Sequence, residues 1–300
     1  MRALTYTANG GPEVLHVAAV PEPHAGPGQI RIRVTAASIN PVDWKLIGGL
    51  MPGSQPPTGP EVPGFDAAGV VDEVGEGVTG VSAGDDVLGL GSGTQAELAV
   101  LTAWAPKPAS LDWAVAAAAP VAGETSERAL RLLGLTSGQT LFIDGGAGGV
   151  GAVAVQIALA DGLTVVASAG PDNQDYLREI GAIPVLYGDG LLDRVRTAAP
   201  TGVDGVFDVA GKTSNADLFA LAPSHDKVVS IANFTLAAEG GVVTGGSDDS
   251  RPFDALAKTA GLLEQNKIVI KVQTFPLDRA PEAYAASLSG HVRGKLVLLP

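Results

Sequence analysis

A cluster of glycines near the middle of the chain has the spacing of a dinucleotide-binding loop. Gly146, Gly148 and Gly151 follow the pattern G-x-G-x-x-G, between an apolar run at 141–144 and an alanine-rich apolar stretch at 152–160. The first glycine permits a tight turn, the second lets backbone N–H groups approach a pyrophosphate, and the third lets a helix lie close to the strand. The anion then sits at the positive end of that helix. The predicted cofactor contacts in this loop are Gly146, Gly148, Gly149, Val150 and Gly151.

The end of the next predicted strand should distinguish NADH from NADPH. An Asp or Glu about twenty residues after the glycines would bind the ribose hydroxyls of NADH. Ser168 stands there instead, and the first acid is Asp172. Without a carboxylate to repel a 2′-phosphate, NADPH is predicted in preference to NADH, with Ser168 and Asn173 as contacts. A basic partner for the phosphate is not evident; Asn173, Arg178 and Arg194 are the candidates, and Asp172 opposes it.

The composition limits the class of protein. The chain has 300 residues, 46% of them hydrophobic, which is enough for a large core and suggests about two domains. The net charge of -13 argues against binding to nucleic acid or to an anionic membrane, because both need clustered lysine and arginine. No cysteine is present, which excludes disulfides and thiolate metal sites. Since residues 1–6 lack the apolar core of a signal peptide, we expect a soluble, cytoplasmic protein.

Two kinds of pattern divide the chain. Residues 1–110 contain short Val/Ile/Thr runs between Pro/Gly/Asp turns, which predicts a small barrel or sandwich, and 111–134 reads as a helical connection. Strand and helix then alternate, which predicts a doubly wound parallel sheet. Strands are predicted at 141–144, 164–167, 184–186, 205–209, 227–231 and 241–244, and helices near 150–161, 173–181, 190–199, 214–222 and 253–265.

The last part of the chain again has the strand-rich pattern of residues 1–110. It contains a predicted strand at 268–274, a helix at 277–288 and a strand at 294–299. We therefore expect it to pack onto the first domain. The predicted domains are a catalytic domain begun by 1–120, a nucleotide-binding domain at 121–265 and a return segment at 266–300 that completes the first.

Six short motifs along the chain carry a resemblance to a known family. They are GGPEVL at 10–15, SINPVD at 38–43, PGFDAAGVV at 63–71, GDDV at 84–87, the glycine loop at 146–151 and RGKLVL at 293–298. The chain resembles the medium-chain dehydrogenase/reductase superfamily and, within it, the zinc-free quinone oxidoreductase (zeta-crystallin-like) group. The resemblance implies a GroES-like β-barrel catalytic domain plus a Rossmann domain, a cofactor in the cleft between them, and a homodimer.

The zinc ligands of related alcohol dehydrogenases have no counterpart here. Where those relatives carry a cysteine this chain has Ser38 or a neighbour, and where they carry Gly-His-Glu it has Gly64-Phe65-Asp66. Catalytic zinc needs three Cys, His or acid ligands. The histidines, which are His16, His24, His225 and His291, fall at predicted turns and strand ends and are expected on the surface. No metal is predicted.

Without zinc, the resemblance implies hydride addition to a quinone or to the β-carbon of an α,β-unsaturated carbonyl. Hydrogen-bond donors would then stabilise the charge that develops on the carbonyl oxygen. By resemblance Asn40 lines the nicotinamide and substrate cleft, and Lys45 bonds the cofactor ribose or the substrate. Asn40 could instead be a turn residue before Pro41, and Lys45 a solvated charge. Asp43 and Asp66 are predicted to be structural.

The resemblance implies further cofactor contacts. Thr125 should touch the nicotinamide, although Glu124 beside it replaces an apolar residue of the family. Residues that follow the fourth and fifth strands of the parallel sheet should border the adenine and nicotinamide sides. Residues 241–245 resemble the strand through which relatives form dimers. The predicted contacts outside the glycine loop and the second strand are Thr125, Ala210, Asn233, Phe234 and, in the terminal motif, Lys295.

Three functions are compatible with these patterns. The main hypothesis is a zinc-independent NADPH-dependent reductase of quinones or activated alkenes. The alternatives are a dedicated enoyl reductase of a biosynthetic pathway and an NADPH-binding protein with little turnover. The presence of Asn40, Lys45 and Thr125 favours turnover, and the acidic balance counts against RNA binding.

Overall fold

The computed structural model describes residues 1–51, 53–245, 252–290 and 292–300. These residues form two compact units. Unit 1 comprises 1–121, 253–265 and 270–300, and unit 2 comprises 122–252 and 266–269. No helix formed by the described residues combines the length and apolar character needed to cross a membrane.

The elements are numbered in chain order. The strands are β1 (Arg2–Thr5), β2 (His16–Ala19), β3 (Ile30–Ile39), β4 (Asp66–Val74), β5 (Asp86–Ser92), β6 (Leu98–Pro106), β7 (Thr140–Asp144), β8 (Thr164–Ala169), β9 (Ile183–Leu186), β10 (Gly205–Asp208), β11 (Val228–Ser230), β12 (Val242–Val243), β13 (Val272–Pro276) and β14 (Lys295–Leu299). The α-helices are α1 (Pro41–Ile47), α2 (Trp113–Leu133), α3 (Gly149–Ala160), α4 (Gln174–Glu179), α5 (Leu191–Ala198), α6 (Asn215–Leu221), α7 (Asp254–Glu264) and α8 (Ala280–Leu288).

Unit 1 is built on a small closed barrel. Its sheet has the order β13-β14-β3-β4-β5-β6, and β3 also pairs with β6, so the four strands from β3 to β6 close on themselves. The long strand β3 pairs with β4, β6 and β14 and is common to the barrel and its extension. Buried Ile30, Ile32 and Leu101 contribute to the apolar core. Closure removes exposed strand edges, and the predicted β-barrel is confirmed.

A second core in unit 1 fixes helix α1. It joins Ile47 of α1 to Leu4 near the amino terminus, to Tyr284 of α8 and to Leu296 of β14. The carboxyl-terminal elements β13, α8 and β14 thus pack with the first part of the chain, as expected from the sequence. Because β14 runs antiparallel to the end of β3, it brings the last residues of the chain beside the beginning of α1.

Unit 2 contains a six-stranded sheet in the order β12-β11-β10-β7-β8-β9. All of its strand pairs are parallel. Apolar clusters cover both faces, one including Val155 of α3 and the other Val195 of α5. Strands buried on both faces read as continuous apolar runs, which is why the sequence located the central strands β7, β8, β10 and β11, whereas the edge strands β9 and β12 are only partly buried. The predicted doubly wound sheet is confirmed.

The unit boundaries differ from the predicted domains at two places. Helix α7 was assigned with the nucleotide domain at 121–265, but it lies in unit 1 and contacts β6. Residues 266–269 lie in unit 2, where Gln156 of α3 donates to the Val269 carbonyl at 3.0 Å and accepts from its N–H at 2.8 Å. That anchoring explains why the strand predicted at 268–274 begins only at Val272.

Candidate active site

The glycine loop links β7 to α3 in unit 2. The turn depends on Gly145, whose φ of +95° favours glycine, and not on Gly146 as the motif predicted. A Cβ at Gly146 would lie 2.7 Å from the Ala167 Cβ, and one at Gly151 only 2.1 Å from the Gly145 carbonyl oxygen. Both glycines therefore allow the helix to lie close to the sheet.

Gly148 has a different environment. A Cβ there would meet, among the described atoms, only the Gly145 carbonyl oxygen at 3.8 Å, so the protein itself leaves this position open. Gly148 is the N-cap of the twelve-residue helix α3, whose first turn carries no acidic residue. Free N–H groups and the helix dipole favour an anion at such a terminus. The loop therefore fits a dinucleotide pyrophosphate.

A row of polar side chains crosses the sheet just below this loop. In register, Ser168 of β8 lies beside Asp144 of β7, which lies beside Asp208 of β10, which lies beside Ser230 of β11. The Ser168 hydroxyl donates to Asp144, and the Ser230 hydroxyl donates to Asp208 at 2.7 Å. All four are buried. The two acids were not among the predicted site residues, although an acid that ends an apolar strand is a signal in the sequence.

These acids also hold the neighbouring loops. Asp144 accepts from the Thr213 hydroxyl at 2.7 Å, and Asp208 accepts from the Gly211 N–H at 2.8 Å. Burial raises the pKa of Asp208; its bonds from Gly211 and Ser230 oppose the rise, and the charge of Asp144 adds to it. The loop after β10 is thereby fixed to the ends of β7 and β10.

Ser168 is placed differently from its predicted role. The residue is 1% exposed, and its hydroxyl donates to Asp144 and accepts from the Gly145 N–H at 2.9 Å. Strand β8 continues one residue further, to Ala169. Ser168 therefore supports the glycine turn, and a contact with a 2′-phosphate would compete with both bonds.

The other candidates for a 2′-phosphate lie beyond β8. Asn173 is half-buried and ends a 3-10 turn at Pro171–Asn173. Arg178 pairs with Asp175 at 2.5 Å. The guanidinium of Arg194 donates to backbone carbonyls at residues 186, 187 and 188. Both arginines are therefore engaged within the protein.

The loops after β10 and β11 carry the remaining predicted contacts of the sheet. Ala210 is exposed and lies beside the glycine turn, since a Cβ on Gly145 would be 3.1 Å from its Cβ. Asn233 caps a 3-10 helix by accepting from the Thr235 N–H at 3.1 Å. Phe234 is 45% exposed. The glycine loop and Ala210 are thus brought together at the carboxyl edge of the sheet.

Thr125 lies in a buried polar group of helix α2. Arg128 pairs with Glu124 at 2.8 Å and donates to the Thr244 hydroxyl at 2.5 Å and, more weakly, to the Thr125 hydroxyl at 3.4 Å. This accounts for Glu124 at an otherwise apolar position, because its charge is neutralised one helical turn away. Arg128 was not singled out from the sequence, although the four-residue spacing from Glu124 is a signal for such a pair.

In unit 1, Asn40 joins β3 to α1 and is 2% exposed. Its backbone N–H donates to Asp43 at 2.8 Å, which closes the first turn of the helix. Its side-chain nitrogen donates to Asp66 at 2.8 Å, and its side-chain oxygen accepts from Lys295. Ser38 also donates to Asp66, at 2.6 Å. The predicted structural roles of Asp43 and Asp66 agree with these bonds.

The two predicted lysines have contrasting surroundings. Lys45 is half-buried in the last turn of α1, with its ammonium 5.8 Å from the centre of the Trp44 ring. Lys295, on β14, is 4% exposed. Its ammonium donates to the Asn40 side-chain oxygen and lies 3.9 Å from an Asp66 carboxylate oxygen. The structure thus brings Asn40 and Lys295 together.

Asp43 is the least satisfied member of this buried group. One carboxylate oxygen accepts from the Asn40 N–H and from Gln95 at 3.2 Å. The other is buried without a hydrogen-bond partner among the described residues. Burial raises the pKa of Asp43 to about 8; the bond from Asn40 opposes the rise, Asp66 adds to it, and Lys295 and Gln95 oppose it. Burial lowers the pKa of Lys295, against the attraction of both acids.

The arrangement of donor side chains decides whether a metal ion can be held. Within the described ranges, no group of three or more His, Cys, Asp or Glu side chains could hold a metal ion. His16, His24 and His225 are exposed, as predicted, and His291 lies outside the described residues.

A closed barrel, together with a parallel sheet whose glycine loop fits a dinucleotide, is the architecture of a two-domain dinucleotide-binding protein. Two family models match the chain, the alcohol dehydrogenase GroES-like domain over residues 26–108 and the zinc-binding dehydrogenase over 180–298. A chloroplast envelope quinone oxidoreductase homolog of Arabidopsis thaliana is 30% identical over 326 residues, covering 100% of this chain and 98% of the relative.

Two further similar proteins point to the same family. The chloroplastic NADPH-dependent alkenal/one oxidoreductase of the same plant is 30% identical over 321 residues, covering 100% of this chain and 80% of the relative. The structure of the quinone oxidoreductase from Coxiella burnetii has a TM-score of 0.87 and 28% identity, covering 100% of this chain and 99% of that one. The chain belongs to the medium-chain dehydrogenase/reductase superfamily, in its quinone oxidoreductase group, as the motifs indicated.

Gly151 and Gly148 should respond differently to alanine. In Gly151→Ala the new Cβ meets a backbone oxygen at 2.1 Å, so we expect the free energy of unfolding to fall by about 1–3 kcal/mol. Gly148→Ala, in open space, should change stability by less than about 0.5 kcal/mol but weaken NADPH binding. Urea denaturation and NADPH fluorescence titration measure the two effects. A Gly151→Ala protein as stable as wild type would contradict the close approach.

The proton on Asp43 should make stability depend on pH. Between the ordinary value of an unfolded Asp, about 3.9, and the folded pKa of about 8, only the folded chain holds this proton. Raising the pH through that window should therefore lower the free energy of unfolding by about 1.4 kcal/mol per pH unit from this group. Asp43→Asn has no such proton and should lack this slope.

Urea denaturation between pH 5 and 8 tests this difference between wild type and Asp43→Asn. Asp189→Asn, at an exposed position, is the matched control and should follow the wild type. If the curves of wild type and Asp43→Asn ran parallel, Asp43 would be ionised throughout the window.

Removing one partner of the buried Arg128–Glu124 pair in α2 should destabilise the protein. Arg128→Met leaves the charge of Glu124 buried, which costs about 3–5 kcal/mol. Changing Glu124 to leucine in the same protein removes that charge and should recover most of the loss, since an apolar replacement of a buried pair is often neutral. Thermal denaturation of both variants measures this. A double variant no more stable than Arg128→Met would refute the account.

Proposed function

We propose that this protein is an NADPH-dependent reductase that adds hydride to a quinone or to the activated C=C bond of an α,β-unsaturated carbonyl, without zinc. The observation that carries the proposal is the open position at Gly148 on the N-terminus of α3, which fits the pyrophosphate of a dinucleotide. The relatives named quinone oxidoreductase and alkenal/one oxidoreductase support the substrate class. Bound NADPH supplies the hydride.

The chain's own residues take distinct parts in this proposal. The loop from Gly146 to Gly151 binds the pyrophosphate, Ala210 borders the adenine side, and Phe234 and Thr125 border the nicotinamide. Asn40 and Lys45 donate hydrogen bonds toward the carbonyl oxygen on which negative charge develops. One N–H of Asn40 is held only weakly, at 3.4 Å from the Ser38 hydroxyl. That N–H is the one that a substrate oxygen could take over without rotation of the amide, since the bonds to Asp66 and Lys295 would be kept.

Zinc does not fit the donors that this chain offers. Catalytic zinc is held by three Cys, His or acid ligands. The sequence contains no cysteine, and the described residues contain no cluster of three such donors. Phe65 stands where the zinc-dependent relatives carry the histidine of Gly-His-Glu, and Asp66 beside it is engaged with Ser38 and Asn40. We therefore propose that hydrogen bonds perform the polarisation that zinc performs in other members of the superfamily.

The cofactor, the location and the assembly complete the proposal. NADPH is favoured because the name of one relative specifies it and because no acid ends β8, whereas Asp172 nearby favours NADH. A chain without cysteine suits the reducing cytoplasm. Strand β12 is an edge of its sheet with half-buried side chains, which suits pairing with a second copy in a homodimer.

Turnover assays test the proposal. NADPH and NADH oxidation is followed by absorbance with a benzoquinone, a naphthoquinone, a short enone and a 2-enoyl thioester, with and without EDTA. We expect NADPH turnover of quinone or enone, unaffected by EDTA, and a loss of about 100-fold in kcat for Asn40→Ala, the size of one lost oxyanion donor. Lys45→Ala should also be slower, whereas Lys267→Ala, at an exposed lysine, should not.

Two outcomes would redirect the assignment. Turnover of the thioester alone would favour a dedicated enoyl reductase. Tight NADPH binding with no turnover of any acceptor would favour a binding protein.

A further inference from the structure

We propose that Lys295 is a positioning residue that, together with Asp66, holds the Asn40 carboxamide in one orientation and affects the reaction only through Asn40. This rests on the proposed function, in which Asn40 is a donor to the substrate oxygen. It replaces the expectation that Lys295 contacts the cofactor directly.

The two ends of the Asn40 side chain face opposite charges. Its oxygen accepts from the Lys295 ammonium, and its nitrogen donates to Asp66 at 2.8 Å. An ammonium can only donate, and an ionised carboxylate can only accept. If the amide rotated by half a turn, its NH₂ would face the ammonium and its oxygen the carboxylate, and both bonds would become repulsive contacts. Only one orientation of Asn40 is therefore compatible with this pair.

Burial strengthens the preference for this orientation of the Asn40 amide. Asn40 is 2% exposed, Asp66 0% and Lys295 4%. Solvent cannot replace a lost bond at such a depth, so an unsatisfied group there is costly. A direct cofactor contact is disfavoured by the partners of Lys295, because its ammonium would have to leave both Asn40 and Asp66.

Strand pairing explains how a residue from the end of the chain reaches this position. Strand β14 is antiparallel to β3, with Leu296 opposite Ile39 and Val297 opposite Ser38. Continuing that register places Lys295 opposite Asn40, where β3 passes into α1. The Lys295 backbone N–H donates to the Lys271 carbonyl at 2.9 Å, which fixes the start of β14. The pairing of β14 with β3 thus places Lys295 beside Asn40.

A double-mutant cycle tests the proposal. Wild type, Asn40→Ala, Lys295→Met and the double variant are compared in kcat, and in the Kd for NADPH from fluorescence. Each single change should lower kcat by about 10-fold or more, and the double should be no slower than the slower single, because residues that act as a unit are not additive. The Kd for NADPH should stay within about twofold in all four. Lys267→Met is the exposed-lysine control.

Other results would overturn it. If the losses multiply in the double variant, Lys295 acts independently of Asn40. If Lys295→Met raises the Kd for NADPH about 10-fold while kcat is kept, the lysine contacts the cofactor. Should Lys295→Met fail to fold, Lys295→Met with Asp66→Asn removes both charges and is used in its place, with the same expected loss in kcat.

A spectroscopic measurement separates this proposal from the proposed function. The side-chain NH₂ resonances of Asn40 are assigned by their absence in Asn40→Ala and should exchange slowly in wild type. Lys295→Met should shift or broaden them, whereas Lys267→Met should not. If wild type turns over no acceptor, the proposed function fails and these resonances alone decide the positioning role. Resonances unchanged in Lys295→Met would refute it.

Discussion

Both units depend on hydrogen bonds to carboxylates that are buried away from water. An isolated buried charge is too costly to keep, so each must be paired or accept several hydrogen bonds. In unit 1, Asp66 accepts from Ser38, Asn40 and the Val121 N–H. These donors belong to the end of β3 and to helix α2. A single carboxylate therefore fixes the backbone around the position from which Asn40 would act.

Unit 2 uses the same device at the carboxyl edge of its sheet. Asp144 and Asp208 lie side by side, and each accepts from a serine on its outer neighbour, Ser168 or Ser230. Each acid accepts one more hydrogen bond from the loop after β10. The glycine loop is thus supported from below by charged groups while its upper side stays open at Gly148. Rigid support beneath an open backbone surface is what a preorganised anion site requires.

Sequence patterns predicted the elements better than the partners of individual side chains. The four central parallel strands are evident in the sequence because apolar runs mark strands buried on both faces. Helical periodicity could not show which core would receive α7, which lies in unit 1. Ser168 is predicted as a cofactor contact, and the sequence does not show that its hydroxyl bonds to Asp144 and to the Gly145 N–H. Lys295 is predicted as a cofactor contact, and its proximity to Asn40, 255 positions away in the chain, is not evident from the sequence.

The charges of the unit 1 cluster explain why its members have separate tasks. Two carboxylates and one ammonium would leave one negative charge unbalanced in an apolar core. The carboxyl with an unpaired oxygen is Asp43, and its pKa of about 8 keeps it protonated near neutral pH. Asp66 and Lys295 lie at the two ends of the Asn40 side chain, while Asp43 holds the Asn40 backbone. The Asn40 side chain is therefore oriented by Asp66 and Lys295, while its backbone is fixed by Asp43, so that one residue is held by three separate partners.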